Sequence, residues 1–367
     1  MNVTGDGDLA ARFRRLIALH GPMPVARFMG ESNARYYASR DPLGASAAQE
    51  GLQGGGDFVT APEISQMFGE LVGLWLADIW VRAGRPAGVR YAELGPGRGT
   101  LARDAMRAMA GVGLHPPVHL VEGSPFLRRL QAQAIPAARF HDDVSGLPDD
   151  GPLLLVANEF LDALPVRQLV RTQRGWRERM VGLTGDGKSG GFVFVAGDQP
   201  MDDAVPEGRR DAAAGTIIET CPAAAATVHD IAAQIARRGG AALFVDYGHL
   251  APRTGSTLQA INAHRKVDPL AMPGAADLTC HVDFDAVGQV AREAGCRVQT
   301  GTQGEWLTAL GIELRARALA AAAPSRAGEI AAARKRLVQP GDMGDLFKVI
   351  AITAQGWPPG AGLTGET

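Results

Sequence analysis

The sequence is poor in cysteine: only Cys221, Cys280 and Cys296 occur in 367 residues. None forms a C-x-x-C pair, and an odd count leaves no closed disulfide framework. A reducing compartment is therefore expected, the cytoplasm of a bacterium or a mitochondrial matrix. No His/Cys/Asp spacing suggests a metal site. Aromatic residues make up 6%, so the core must be built mainly from Ala, Val, Leu and Ile. No apolar run approaches the roughly 20 residues that span a bilayer. The most apolar helical candidate, Leu71 to Val81, is interrupted by Asp78. An excess of one charge is also missing: 37 Lys and Arg face 39 Asp and Glu, for a net charge of -2. Such a chain has no general field for a polyanion, so neither nucleic acid nor a membrane surface is an expected partner. Arg12, Arg14 and Arg15 would suit a transit peptide, but Asp6, Asp8 and the lack of an apolar signal core favour a surface helix, Leu9 to Leu19.

What is present is 46% hydrophobic, enough to exclude wholesale disorder. In the first ninety residues, Ile64, Met67, Phe68, Leu71, Val72, Trp75, Leu76, Ile79 and Trp80 recur at helical spacing. Thr60 and Glu63 form an S/T-x-x-E capping box before them, with Pro62 in the first turn. The middle of the chain alternates. Val89 to Leu94, Val118 to Glu122, Ala138 to His141 and Leu153 to Ala157 read as strands separated by helices. That rhythm predicts an α/β fold with a parallel, doubly wound sheet, its strands covered on both faces. After Pro165 the pattern turns antiparallel, giving a β-rich insertion over about 166–215, with Gly185-Asp186-Gly187 as one of its turns. Helices at Ala223 to Arg238 and Phe284 to Ala294 and strands at Ala241 to Asp246, Arg297 to Thr300 and Phe347 to Ile352 restore the α/β rhythm. The Ala-rich stretch Leu310 to Leu337 is helical with a break at Pro324, and could pair between subunits of a homodimer. From Gly356 a frayed tail is expected. The organisation predicted is a helical cover over 1–88, a core over 89–355 and a flexible tail over 356–367.

The strongest local motif is Glu93-Leu94-Gly95-Pro96-Gly97-Arg98-Gly99-Thr100. Glycines between a strand and a helix let backbone approach a ligand closely. A nicotinamide fingerprint would need glycine where Thr100 stands. An acid just before a G-x-G turn suits S-adenosyl-L-methionine instead, a ligand with a sulfonium, an amino-acid head and a ribose but no pyrophosphate. Glu93 holds that place, with Gly95, Gly97 and Gly99 as the turn. Glu122, closing the second strand, can accept from ribose hydroxyls, a use shared by both cofactors. After the third strand, Asp143 is chosen over Asp142 to accept from an adenine amine, although paired loop acids are often simply solvated. After the fourth come Asn158-Glu159-Phe160-Leu161-Asp162-Ala163-Leu164-Pro165. An Asn and two acids beyond a strand's carboxyl end suit a substrate nitrogen, and Asn158 and Glu159 equally suit a helix cap.

Taken together, these segments resemble the MidA-like family of S-adenosyl-L-methionine-dependent methyltransferases. The resemblance covers residues 56–70, 93–100 and 158–165. It continues through Val245-Asp246-Tyr247-Gly248-His249, Ser256-Thr257-Leu258-Gln259, the run from Pro273 to Phe284, and Met343-Gly344-Asp345-Leu346-Phe347-Lys348, all in family order. Ala45 to Gly55 looks like an extra stretch, Arg35 stands where Gly is expected, and Cys221-Pro222 where Ser-Pro is. The resemblance implies a Rossmann-like class I methyltransferase sheet with a helical N-terminal cover, a β-rich insertion and C-terminal helices. It also implies transfer of a methyl group to a guanidine nitrogen of a protein, in the mitochondrial members during assembly of respiratory complex I. A subunit of NADH dehydrogenase is the corresponding expected substrate here.

An arginine substrate carries a charge that must be brought beside a sulfonium. Acids at the site would hold the guanidinium and accept the released proton. Glu159 and Asp162, with Asp246 as a third acid, are expected to face the substrate. His281, in the loop Asp277 to Asp283, would orient an acid or relay a proton, or else make a structural hydrogen bond. Asp57, Thr60 and Glu63 would lie over the cofactor, with Gly51 to Gly56 as hinge. The alternatives are a methyltransferase of a small molecule and a cofactor-binding assembly factor without turnover.

Overall fold

The computed structural model describes residues 9–39, 60–185, 190–262 and 265–364. The chain divides into two compact units. One gathers Met1–Phe58, Ala163–Ala223 and Pro252–His281, the other Val59–Asp162, Ala224–Ala251 and Val282–Thr367.

The second unit is built on one sheet. Its main strands are β1 (Arg90–Leu94), β2 (Val118–Val121), β3 (Arg139–His141), β4 (Leu153–Asn158), β5 (Gly240–His249), β6 (Arg297–Thr302) and β7 (Phe347–Thr353), and the short Val282–Asp283 pairs with the end of β5. Their order across the sheet is β6-β7-β5-β4-β1-β2-β3. β3, β2, β1, β4 and β5 run parallel. β7 lies antiparallel to both β5 and β6. Every residue of β4 is buried, as its unbroken apolar run requires. The helices α1 (Gln66–Arg82), α2 (Thr100–Ala110), α3 (Pro125–Ala134), α4 (Pro222–Arg238) and α5 (Phe284–Glu293) alternate with these strands. The chain runs from β1 outward to β2 and β3, then returns to β4 on β1's other side. That reversal opens a crevice beyond the carboxyl ends of β1 and β4.

Two glycines let α1 and α2 cross closely. A Cβ on Gly73 would meet the Ala105 carbonyl oxygen at 2.5 Å, and one on Gly69 would meet Asp104 Cβ at 2.8 Å. At the same crossing the buried Glu70 carboxylate takes Arg107 at 2.9 Å and, bidentately, Arg315 at 2.7 and 2.8 Å. Arg315 comes from the helix Ile312–Ala322, and the 3-10 turn Pro324–Arg326 then separates that helix from Ala327–Val338. The expected break at Pro324 is thus where the helix stops.

In the first unit, the helices Leu9–His20 and Val25–Ser39 bury Phe13, Ile17, Phe28 and Met29 with Val166, Val181 and Leu278. Strands Arg167–Thr172, Gly175–Leu183, Phe192–Pro200 and Ile217–Thr220 form its antiparallel sheet, with Met23–Pro24 on Gly175–Leu183. A second small sheet sets Gln259–Asn262 between Arg265–Val267 and Asp277–Thr279. Asn33 joins this sheet as a strand would: its amide donates to Leu278 O at 2.8 Å and accepts from Leu278 N at 3.0 Å.

Two expectations are corrected. Thr60 and Glu63 do not cap α1. Thr60 makes no side-chain cap, and Ala61–Ile64 is a separate single turn. Ser65, extended at φ -164°, breaks the helix there and caps α1 by accepting from Met67 N at 3.2 Å. The stretch from Gly356 is not a frayed tail as far as Thr364. Trp357 and Leu363 are buried. Trp75 Nε1 donates to Ala361 O at 3.0 Å, Gln299 Nε2 to Leu363 O at 3.1 Å, and Gly360 N to Gln299 Oε1 at 2.7 Å. Those bonds satisfy backbone groups that a Gly/Pro-rich segment cannot pair within itself. The extra stretch Ala45 to Gly55, the hinge Gly51 to Gly56, Asp57 and Asp186-Gly187 lie outside the described residues.

Candidate active site

The turn after β1 runs in the left-handed region, with φ of 58° at Gly95, 53° at Gly97 and 80° at Gly99. A Cβ at Gly95 would meet the Phe160 ring at 2.9 Å. Glycine is therefore needed here both for backbone shape and for room. Gly99 is the N-cap of α2, so the turn delivers backbone to a helix start. Thr100 Oγ1 in that first turn donates to Glu63 Oε1 at 2.6 Å, which gives Glu63 a partner in place of the predicted cap.

Glu93 is 2% exposed and accepts from the Tyr91 hydroxyl at 2.6 Å. Burial pushes its carboxyl up to about 8, against the pull of that hydrogen bond. Glu122 stands just past β2. Its Oε1 accepts from Ser124 N at 2.8 Å and its Oε2 from Gln131 Nε2 at 3.1 Å. Burial raises its pKa, opposed by those two donors. The same Gln131 amide donates to Gly97 O at 2.7 Å, so one side chain joins the glycine turn to Glu122. Sequence reasoning missed Gln131, because a Gln inside an amphipathic helix reads as solvent-facing.

Asp143 follows β3 and is turned on its own loop, where Oδ1 accepts from Ser145 N at 2.8 Å and from Ser145 Oγ at 2.5 Å. Those bonds lower its pKa. Asp142 is held by Arg128 Nη2 at 2.6 Å. Asn158 ends β4. Its Nδ2 donates to Glu159 Oε1 at 3.0 Å, while its buried Oδ1 has no partner among the described residues. A buried acceptor left open at the crevice is a place for a ligand donor.

Glu159 has φ 52°, a conformation that costs a non-glycine residue and that recurs at functional sites. Its N donates to Val245 O at 2.9 Å, and its Oε1 also accepts from Ala61 N at 3.1 Å. Oε2 has no partner among the described residues. Burial and the charge of Asp162 raise its pKa to about 8. Asp246, near the end of β5, takes four backbone donors: Phe160 N, Leu161 N and Asp162 N on Oδ2 at 3.1, 2.9 and 3.2 Å, and Tyr247 N on Oδ1 at 2.9 Å. Burial, then Asp162 and Glu159, raise its pKa, and the N–H donors oppose this. Asp162 itself is 5% exposed. The structure thus brings Glu159, Asp162 and Asp246 together at the carboxyl ends of β4 and β5. Within that cluster Asp246 is turned into the loop rather than out of it.

His281 belongs to the other unit. Its N donates to Thr257 Oγ1 at 2.9 Å, and its Nδ1 lies 3.4 Å from Arg253 Nη1. Thr257 is held by Glu219 through both carboxylate oxygens.

The donor set suits S-adenosyl-L-methionine. Turn backbone at Gly95 to Gly99 can accommodate the amino-acid head, Glu122 offers acceptors to a ribose, and Asn158 Oδ1 stands open. Residues 71–302 match the family described as "Putative S-adenosyl-L-methionine-dependent methyltransferase". The mitochondrial protein arginine methyltransferase NDUFAF7 of Xenopus tropicalis is 32% identical, over 94% of this chain and 86% of its own length. The NDUFAF7 homolog of Drosophila melanogaster is 35% identical, over 95% and 85%. A crystal structure from Burkholderia thailandensis bound to S-adenosyl-homocysteine matches with a TM-score of 0.78 and 29% identity, over 97% of this chain and 95% of that one. The strand order, the glycine turn after β1 and these matches agree: the chain belongs to this family of S-adenosyl-L-methionine-dependent methyltransferases.

Proposed function

We propose that this protein is a protein arginine N-methyltransferase that acts on a subunit of respiratory complex I, or bacterial NADH dehydrogenase, during assembly. The observation that carries the reading is the cluster of Glu159, Asp162 and Asp246 beside the glycine turn. Three neighbouring carboxyls, two in the loop after β4 and one on β5, repel each other when ionised, and a guanidinium relieves that repulsion. NDUFAF7 relatives named as arginine methyltransferases match along most of the chain, which supports the same substrate class.

S-adenosyl-L-methionine, when bound, supplies an electrophilic methyl group on a sulfonium. The chain's residues would do the rest. Gly95, Gly97 and Gly99 admit the ligand against bare backbone, Glu122 holds the ribose, Asp143 takes the adenine amine, and Asn158 fixes the end of β4. Glu159, through Oε2, and Asp162 hold the guanidinium in line and bias its charge away from the attacked nitrogen. Glu159 Oε2, ionised by the bound guanidinium's charge, then receives the proton that nitrogen gives up. Asp246 positions the loop. Among the described residues no helix is long and apolar enough to cross a membrane. Action in a bacterial cytoplasm, or in the matrix for a mitochondrial form, is part of this proposal, as is a homodimer.

Mass spectrometry of NADH dehydrogenase subunits from a deletion strain and its parent tests the reading. One arginine methylation should vanish and return with the wild-type chain. An unchanged arginine methylation pattern would overturn the substrate assignment.

A further inference from the structure

Gln131 is fully buried in α3 and has no role in the reading above. Its amide nitrogen meets two acceptors, the Gly97 carbonyl and the Glu122 carboxylate, so the amide can face only one way. Its Cα also lies where a Cβ on Gly99 would reach it at 3.7 Å. Glu122 is therefore clamped at both oxygens: by Ser124 N on Oε1 and Gln131 on Oε2. Each oxygen keeps a lone pair for a ribose hydroxyl.

We infer that Gln131 is a positioning residue for the cofactor, holding Glu122 as an oriented, ionised acceptor for the ribose and locking that acceptor to the glycine turn. The inference rests on the proposed cofactor use of Glu122. Without the amide, the carboxylate would lose its donor on Oε2 and gain freedom to rotate and to take a proton. A protonated Glu122 would present a donor where the ribose needs an acceptor. The charged groups around Glu122 are few. Arg128, on α3, donates to the Glu122 carbonyl at 2.6 Å and also holds Asp142. From β3, His141 contributes its carbonyl to Glu122 N at 3.0 Å, and its imidazole stacks on His119.

The test is calorimetric binding of S-adenosyl-homocysteine between pH 5.5 and 8.5, with two variants of opposite sign. Gln131→Leu should weaken binding about tenfold near neutrality, the size of one hydrogen bond to a charged group, and recover as pH rises. Gln131→Glu sets a second carboxylate against Glu122, so it should bind poorly at high pH and recover as pH falls, when one shared proton restores the bridge. Under saturating S-adenosyl-L-methionine both variants should keep a wild-type kcat, with the loss confined to KM. Equal loss at every pH in both variants, or no loss, would overturn the role of Gln131. If the wild-type chain fails to bind S-adenosyl-homocysteine, it is the cofactor assignment that fails. Should Gln131→Leu not fold, the pH direction of Gln131→Glu alone decides.

Discussion

Ala61 N donates to Glu159 Oε1 at 3.1 Å, joining residues 98 apart in the chain. The bond places the short turn Ala61–Ile64 against Glu159, whose Oε2 has no partner among the described residues. Through Glu63 and Thr100 the same turn also touches the start of α2, just beyond the glycines. Glu159 is thereby held through Oε1 by Ala61 N and Asn158 Nδ2.

Glu159→Gln should separate shape from charge. The amide keeps an acceptor for Ala61 N but cannot take up or release a proton. Affinity for S-adenosyl-homocysteine should stay within about twofold of wild type, while turnover falls by roughly a hundredfold or more, the usual weight of a general base. Retained turnover would remove Glu159 from the proton transfer.

The raised carboxyls predict an unusual alkaline slope in stability. Glu93 and Glu159 have folded values of about 8, against an ordinary carboxyl value of 4.5. The native state therefore binds more protons than the unfolded chain across that interval. Stability is highest below about 4.5 as far as these two groups are concerned, and is lost as pH rises through 8. For the fully buried Glu93 the loss amounts to a few kcal/mol, at about 1.4 kcal/mol per pKa unit. Urea unfolding of wild type and Glu93→Gln at several pH values measures it. The variant should show a flatter profile, and parallel profiles would refute the assignment.

Glu70 predicts the opposite arm. Burial raises its pKa, but its bonds to Arg315 and Arg107 outweigh burial and leave it lowered. Its contribution is present above 4.5 and disappears as pH falls through the lowered folded value. Both arginines are partly solvated, so Glu70→Gln should cost about 1–3 kcal/mol near neutrality, less than a fully buried pair. The difference between variant and wild type should shrink in acid; a constant difference would show that packing, not charge, is what the variant removes.

Gly95→Val tests the turn. The new side chain meets the Phe160 ring and a φ of 58° that valine resists. Loss of S-adenosyl-homocysteine binding and a stability cost of about 1–3 kcal/mol are expected. Undiminished binding would mean the ligand does not approach this backbone.

The sheet was legible because its strands are short apolar runs set between helical periods. β4 could be found from Leu153 to Ala157 alone, and the glycine turn from the spacing of Gly95, Gly97 and Gly99. Ser65 was not legible as the true cap, because Thr60-x-x-Glu63 offers the same chemistry five residues earlier and only backbone geometry decides between them. Asp246 reads as one more acid at a strand's end; that its Oδ2 is spent on Phe160, Leu161 and Asp162 depends on a contact 84 to 86 residues away. The packing of Trp357 to Thr364 is hidden for the same reason: its partners Trp75 and Gln299 are distant in sequence, and local pattern carries no trace of them.

The position of β7 has a consequence for synthesis. Its residues 347–353 occupy the slot between β5 and β6, two strands made earlier. A nascent chain emerging from the ribosome therefore cannot close this sheet in the order in which it is made. β5 and β6 must wait with facing edges unpaired until Thr353 is out, exposed in the interval to wrong partners. The half that holds the glycine turn, β3-β2-β1-β4, needs no such delay, so the cofactor side can be shaped well before the sheet is complete.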